Sequence, residues 1–307
     1  MAGLSVEDLE PGVDDQQPSC HGKIAKLNVL ESMYGLKTNS ILKLYTLFKL
    51  VWIERLIYRV NFFLQILSGI LSSLIVVFLW IAIYRYSDKN VIAGYSLGEM
   101  VTYLLGAGLI NSFILTTAEN PETSQSIQDG TLSALLIQPI NPYGIWFVRD
   151  LGSKTFCFLL GLSGYLIVFF FFKGYLVLSP SLGHFVLFLF SLMLAALLQF
   201  FLFEVLSLLA FWFENTYGIR FTMRVIMEVV GGAIIPLSFF PQILQKAFLV
   251  LPFPFLIYLP MKIYLAKIPM GDIAFELMKE GVWIVGLGCL NLVIWKKGIR
   301  QYVAMGD

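Results

Sequence analysis

Two acids stand where a carboxylate could do chemistry inside an apolar stretch: Glu204, the one charge in the run Phe185–Phe213, and Glu228, four residues after Arg224. A charge at membrane depth is costly and stands against a partner, a proton or water. Glu228 reads as an i,i+4 ion pair with Arg224. Glu204 has no partner in its own helix, which leaves two roles open: an interhelical hydrogen bond, or a place on a transport pathway.

The rest of the chain offers no catalytic constellation. Gly152-Ser153-Lys154-Thr155 has a glycine and a Lys-Thr pair but lacks the adjacent Gly-Lys and the upstream glycine that together wrap phosphates, so ATP is not expected to bind by that route. HExxH and GxSxG are missing, so no hydrolase nucleophile or catalytic metal is visible. Cys20, Cys157 and Cys289 are far apart, with only His21 and His184 as further soft ligands. A metal site is not expected, nor a disulfide framework, and the thiols read as small apolar side chains.

The elements that would position Glu204 and Glu228 are membrane helices. The chain has 307 residues, of which 58% are hydrophobic and 13% charged, with a mean hydropathy of +0.80. A water-soluble domain carries about a quarter charged residues, so this composition indicates an all-α, polytopic integral membrane protein. A net charge of +1 leaves no chain-wide basic surface, which excludes nucleic acid as an expected partner.

Runs of roughly 20 apolar residues mark helices that cross the hydrocarbon core, and six transmembrane helices are expected. Phe62–Tyr84 and Met100–Ala118 are uncharged, and Thr155–Phe172 is uncharged but slightly short. Phe185–Phe213 is longer than a bilayer needs. The fifth run starts near Val225 and is interrupted by Gly231-Gly232, Pro236 and Pro241, which leaves two readings: a broken, re-entrant span whose break faces the bundle interior, or a simple proline kink. Gly281–Trp295 is only marginally long enough, with Lys279 and Lys296 reaching for the two interfaces.

Ahead of the first span, residues 37–60 form an apolar-basic stretch with Trp52 and Tyr58, the pattern of an interfacial helix. Residues 1–36 make an acidic tail whose start is unlike a signal peptide and is expected to be disordered and cytosolic. The transmembrane domain is taken as 61–300 and the C-terminus as 301–307. Of the 21 Lys and Arg, fourteen fall on the side of both termini and seven on the other. The excess places both termini in the cytosol.

On that same side lies Ile127–Pro142, wedged between two membrane-length runs. Gly130 can end or start a short helix, the leucines fall at the spacing of one apolar stripe, and Pro139 and Pro142 stop the helix before the chain re-enters lipid. The segment reads as a docking element able to press on a soluble partner.

These residues resemble the membrane subunit of ABC-2 type exporters. The family shows an acid after the second span and then Ile-x-x-Gly-Thr-Leu-x-x-Leu-Leu-x-x-Pro. Here that is Glu119 or Glu122, followed by Ile127, Gly130, Thr131, Leu132, Leu135, Leu136 and Pro139. The broken fifth span, Gly231-Gly232 through Pro236-Leu237 and Phe240-Pro241 to Leu251-Pro252-Phe253 and Pro260, is similar to the family's second block. With Pro139-x-Asn141-Pro142, the chain is most similar to a bacterial branch often encoded as two adjacent permeases beside one ATPase. The resemblance spans roughly Lys37 to Arg300. It departs from the pattern at Ser126, Ser133 and Gln138, where relatives often carry charges.

The resemblance implies a permease, not an enzyme: a half-transporter that partners a cytosolic ABC ATPase dimer and a second permease, with a heterodimer favoured over a homodimer. ATP and Mg would sit on the ATPase, with no cofactor on this chain. Segment 119–140 would be the coupling region, and Gly231, Gly232, Pro236, Pro241 and Glu204 are candidates for the pathway or its gate. The expected activity is export of an amphipathic, lipid-like, glycan-like or drug-like substrate across a bacterial cytoplasmic membrane. The alternative is an ATP-independent secondary transporter using Glu204 as its proton site.

Overall fold

The computed structural model describes residues 40–57, 59–87, 89–118, 122–137, 141–179 and 181–304. The acidic segment 1–36, the docking-segment residues Glu119 and Pro139, and the end of segment 301–307 lie outside them. Helix α1 (Ser40–Ile57) falls within the stretch expected to be interfacial, and α2 (Arg59–Tyr86) follows. A hairpin comes next, β1 (Val91–Ile92) and β2 (Tyr95–Ser96), antiparallel with Val91 opposite Ser96. Its two-residue turn has positive φ at both Ala93 and Gly94, the geometry that matches strand twist.

Helix α3 (Leu97–Ile114) opens on a capping box in which the Ser96 hydroxyl and the Glu99 carboxylate each satisfy the other's backbone N–H. Two short helices, α4 (Glu122–Gln128) and α5 (Leu132–Leu136), precede α6 (Pro142–Phe171), which starts with Asn141 as cap and Pro142 in the first turn. Then come α7 (Leu182–Leu208), α8 (Tyr217–Val230), α9 (Gln242–Val250), α10 (Tyr258–Tyr264) and α11 (Met270–Ala304).

Among the described residues five helical stretches are long and apolar enough to cross a membrane: Leu67–Tyr86, Leu97–Ile114, Pro142–Phe171, Leu182–Phe211 and Met270–Tyr302. Two of the expected spans are much longer than their charge-free cores. The third begins at Pro142 and takes in Arg149, Asp150 and Lys154, while the last begins at Met270 and takes in Glu276, Lys279 and Glu280. A charge ends an apolar run in a sequence but not a helix in a protein, provided the charge finds a partner. Lys154 is 1% exposed, paired with Asp150 and donating to the Ala196 carbonyl at 3.1 Å. Glu280 is fully buried and accepts from Ser191 at 3.4 Å.

The fifth expected run is not one helix. α8 stops after 14 residues, and the chain continues through a 3-10 turn (Leu237–Phe239), α9, a second 3-10 turn (Phe253–Phe255) and α10. These pieces carry the chain the length of the bundle. Arg220 in the first turn of α8 bonds the Ala118 carbonyl beside α4, whereas Lys267 after α10 bonds Gly94 in the β-hairpin.

The stop at Gly231-Gly232 is built from backbone bonds. Ala233 N–H donates to Glu228 O at 3.0 Å and Gly232 N–H to Val229 O at 3.3 Å, with Gly232 at φ +82°, which together form a Schellman cap. The carbonyls freed by the break are taken by other elements: Tyr258 N–H donates to Gly231 O at 3.0 Å and Tyr103 Oη to Gly232 O at 2.7 Å. At membrane depth such partners are required.

Helices α7 and α11 run side by side, fastened by Asn291, whose amide donates to the Phe201 carbonyl at 2.8 Å. Near the end of α11, Gly298 lies so close to Phe211 that a Cβ there would come within 2.1 Å of the ring.

Gly232→Ala is expected to lower unfolding stability by about 1–3 kcal/mol, since an L residue at this φ is strained and a Cβ would approach Tyr103 Oη to 2.7 Å. Gly218→Ala, in open space at the start of α8, should be neutral or stabilising by up to about 1 kcal/mol. Thermal unfolding of the detergent-purified variants would check this, and equal melting temperatures would refute the cap assignment.

Candidate functional site

Helices α4 and α5 fold as a hairpin about Gly130, whose φ of +74° is the left-handed conformation that favours glycine. The leucine stripe expected to face a soluble partner divides between two sides. Ile127 and Leu132 are buried, packed with Trp146, Phe200 and Phe211, while Leu135 is half-buried against the same cluster. Turned outward, they would uncover that aromatic floor. The outer face is Asp129, Gly130, Thr131, Ser133, Leu136 and Ile137, the last 85% exposed.

Three sets of contacts hold the hairpin in place. Tyr302 near the end of α11 donates to Gly130 O at 2.8 Å, and its hydroxyl lies 2.9 Å from Ser133 Oγ. Gln128 donates to the Glu214 carbonyl at 2.6 Å. Arg149 of α6 pairs with Glu122 in the first turn of α4 and with Glu54 of α1 at 3.2 Å, joining three helices through one guanidinium. Glu122, one of the two candidate coupling acids, is thus engaged within the chain.

Behind α4 lies a buried polar joint. Glu204 Oε2 accepts from Thr123 Oγ1 at 3.2 Å, so the interhelical bond is formed. Arg220 reaches the same helix from α8, donating to Ser124 Oγ at 3.3 Å and to Ala118 O at 3.0 Å. A cavity of about 40 Å³ between them is lined also by Asp150 and Gln199. Burying charges this deeply is tolerable only where each is bonded.

A larger cavity lies elsewhere. A groove of about 780 Å³ opens between α2, α3, α6 and α8, within the size range of ligand sites. Ser68, Gly69, Ser72 and Ser73 of α2 line one wall, and Gly108, Asn111 and Ser112 of α3 another. Ser73 Oγ and Tyr165 Oη are 2.8 Å apart, an approach that Gly108 permits, since a Cβ there would lie 2.3 Å from Tyr165 Oη. The expected Arg224–Glu228 pair is present at 3.2 Å and lies on the groove.

Of the candidate gating residues, Gly231 and Gly232 sit just before Ala233 and Ile234, which line the groove. Pro236 and Pro241 introduce the 3-10 turn and α9 and are not on its lining. Glu204 stands apart from it, at the joint behind α4. Sequence reasoning missed the groove residues of α2 and α3, although Ser68 and Ser72, with Gly69 and Ser73, repeat at four-residue spacing inside an apolar helix. It also missed Arg149 and Arg220 as structural fasteners.

Residues 70–306 match the family model described as ABC-2 family transporter protein. Among curated proteins, none matches the chain.

Tyr302→Phe is expected to loosen the α4–α5 turn by the worth of its hydrogen bonds. Amide exchange at Gly130, Ser133 and Ala134 should then speed up by roughly 2- to 10-fold, read by hydrogen–deuterium exchange mass spectrometry. Unchanged exchange would mean that Tyr302 does not restrain the turn.

Proposed function

The chain belongs to the ABC-2 transporter family, a multi-pass membrane transport component, and from that premise we propose that it is the permease subunit of an ATP-driven exporter. Its α4–α5 hairpin is the element on which a separate ABC ATPase acts. One observation carries the reading: the hairpin is seated through Ile127 and Leu132 on the aromatic floor and tied down by Tyr302 and Arg149, yet leaves Asp129, Thr131, Leu136 and Ile137 exposed. A protruding tip on a stiff mount suits an element that receives force. The chain itself binds no nucleotide; ATP and Mg belong to the ATPase.

On this reading the pieces from α8 to α10 count as a sixth crossing, and both termini and the hairpin are cytosolic. The Lys and Arg asymmetry supports that orientation. The groove between α2, α3, α6 and α8 is one half of the export pathway, open along its side because a second permease completes it. A different permease is favoured for that role over a second copy. Glu204, tied to Thr123 and away from the groove, serves the joint that carries movement of α4 into α7 and α8. The substrate leaves the cytosol, and its amphipathic character fits a groove with both apolar and polar walls.

Ile137→Asp, on the outer face, should leave the chain as stable as the parent but cut substrate-stimulated ATP hydrolysis of the complex by about tenfold or more, as loss of an interface anchor does. Leu132→Asp, on the inner face, should instead destabilise the chain. Parent-like ATPase coupling in a folded Ile137→Asp complex would reject the hairpin as the contact.

A further inference from the structure

The charges lining the groove cancel. Arg224 and Glu228 are its charged lining residues among the described ones, and they are paired one helical turn apart at 3.2 Å. A ligand with an unbalanced charge would leave water for a wall whose cation and anion already hold each other. The low dielectric of a membrane protein interior makes that exchange unfavourable for either sign.

The other polar atoms are neutral and turned toward accepting. Ser72 and Ser73 donate their protons to the Ser68 and Gly69 carbonyls of their own helix, both at 2.9 Å. Ser112 donates to Leu109 O at 2.7 Å. The Ser72 oxygen keeps lone pairs for another donor, while the Ser73 oxygen, its proton given to Gly69, accepts from Tyr165 Oη at 2.8 Å. Asn111 Oδ1 is buried at the groove and has no hydrogen-bond partner among the described residues. A buried acceptor left in that state is unfavourable until a donor reaches it. Leu64, Val76, Leu104 and Ile234 supply apolar surface along the same groove.

We infer that the groove selects an amphipathic molecule whose head bears no net charge and carries hydroxyl donors, a sugar or polyol on an alkyl tail. Hydroxyl protons meet the Ser72 oxygen and Asn111 Oδ1, and the tail lies on the leucine and valine surface. The inference rests on the export reading for the groove's place on the pathway, and it adds the substrate's chemistry.

The test is direct binding to the full-length chain, with the subunits that co-purify, in lipid nanodiscs. Three radiolabelled dodecyl probes differ only in the head: maltosyl, trimethylammonium and phosphate. The maltosyl probe should bind at least about tenfold more tightly than either charged one. Asn111→Leu should weaken it about fivefold, the worth of one hydrogen bond, and Asn111→Asp should turn the preference to trimethylammonium. Equal or tighter binding of a charged probe to the parent would overturn the proposal, as would an Asn111→Asp protein that still prefers the maltosyl head. Because binding is read without nucleotide, lost ATPase coupling with retained head selectivity would sink the export reading alone. Retained coupling without selectivity would sink this inference alone.

Discussion

A polar group in hydrocarbon has no water to turn to, so each one at membrane depth must find its partner inside the protein. That constraint orders most of this structure. It explains why the chain can break helix at Gly231 and Gly232 only where Tyr258 and Tyr103 receive the freed carbonyls. It likewise explains why Lys154 and Glu280, each placed where a helix would otherwise end, are met by Asp150, Ala196 and Ser191. The same rule binds the joint behind α4, where Glu204 and Arg220 arrive from two helices and both terminate on the segment from Ala118 to Ser124.

The α4–α5 hairpin shows how a short element gains a fixed position without a core of its own. Its seven- and five-residue helices are far below the length at which isolated helices are stable in water. Order comes from outside: an aromatic floor in which Trp146, Trp295 and Tyr143 meet edge to face at 5.3–5.6 Å, a guanidinium shared by α1, α4 and α6, and a tyrosine from the far end of the chain. The inner residues set where the hairpin sits, and the outer ones stay available.

The membrane class and five spans were legible because long charge-free runs leave few alternatives. The lengths of α6 and α11 were not, since run-counting treats Arg149, Lys154 and Glu280 as stops, and only the fold shows that each meets a partner on its own or a neighbouring helix. The break at Gly231-Gly232 was readable from composition, but its division into α8, two 3-10 turns, α9 and α10 depends on bonds from Tyr103 and Tyr258, distant in the chain. At the hairpin the pattern announced an apolar stripe without saying which way it faced; Ile127 and Leu132 turn inward because the aromatic side chains they cover come from α6, α7 and the turn after α7. Groove residues such as Asn111 and Ser73 were invisible for a related reason. A serine or asparagine in an apolar run is unremarkable until three helices bring several to one surface.

Helix α11 reaches from the β-hairpin end of the bundle to the Gly130 turn as one unbroken rod of 35 residues. It is gripped near one tip, where Gly298 sits against the Phe211 ring. Phe211 continues α7, and Asn291 bonds the Phe201 carbonyl seven residues before Gly298, so the two helices are joined at two points about 10 Å apart along α11. Together they make one stiff strut, whose ends lie at the Gly130 turn, held by Tyr302, and at the opposite face of the bundle.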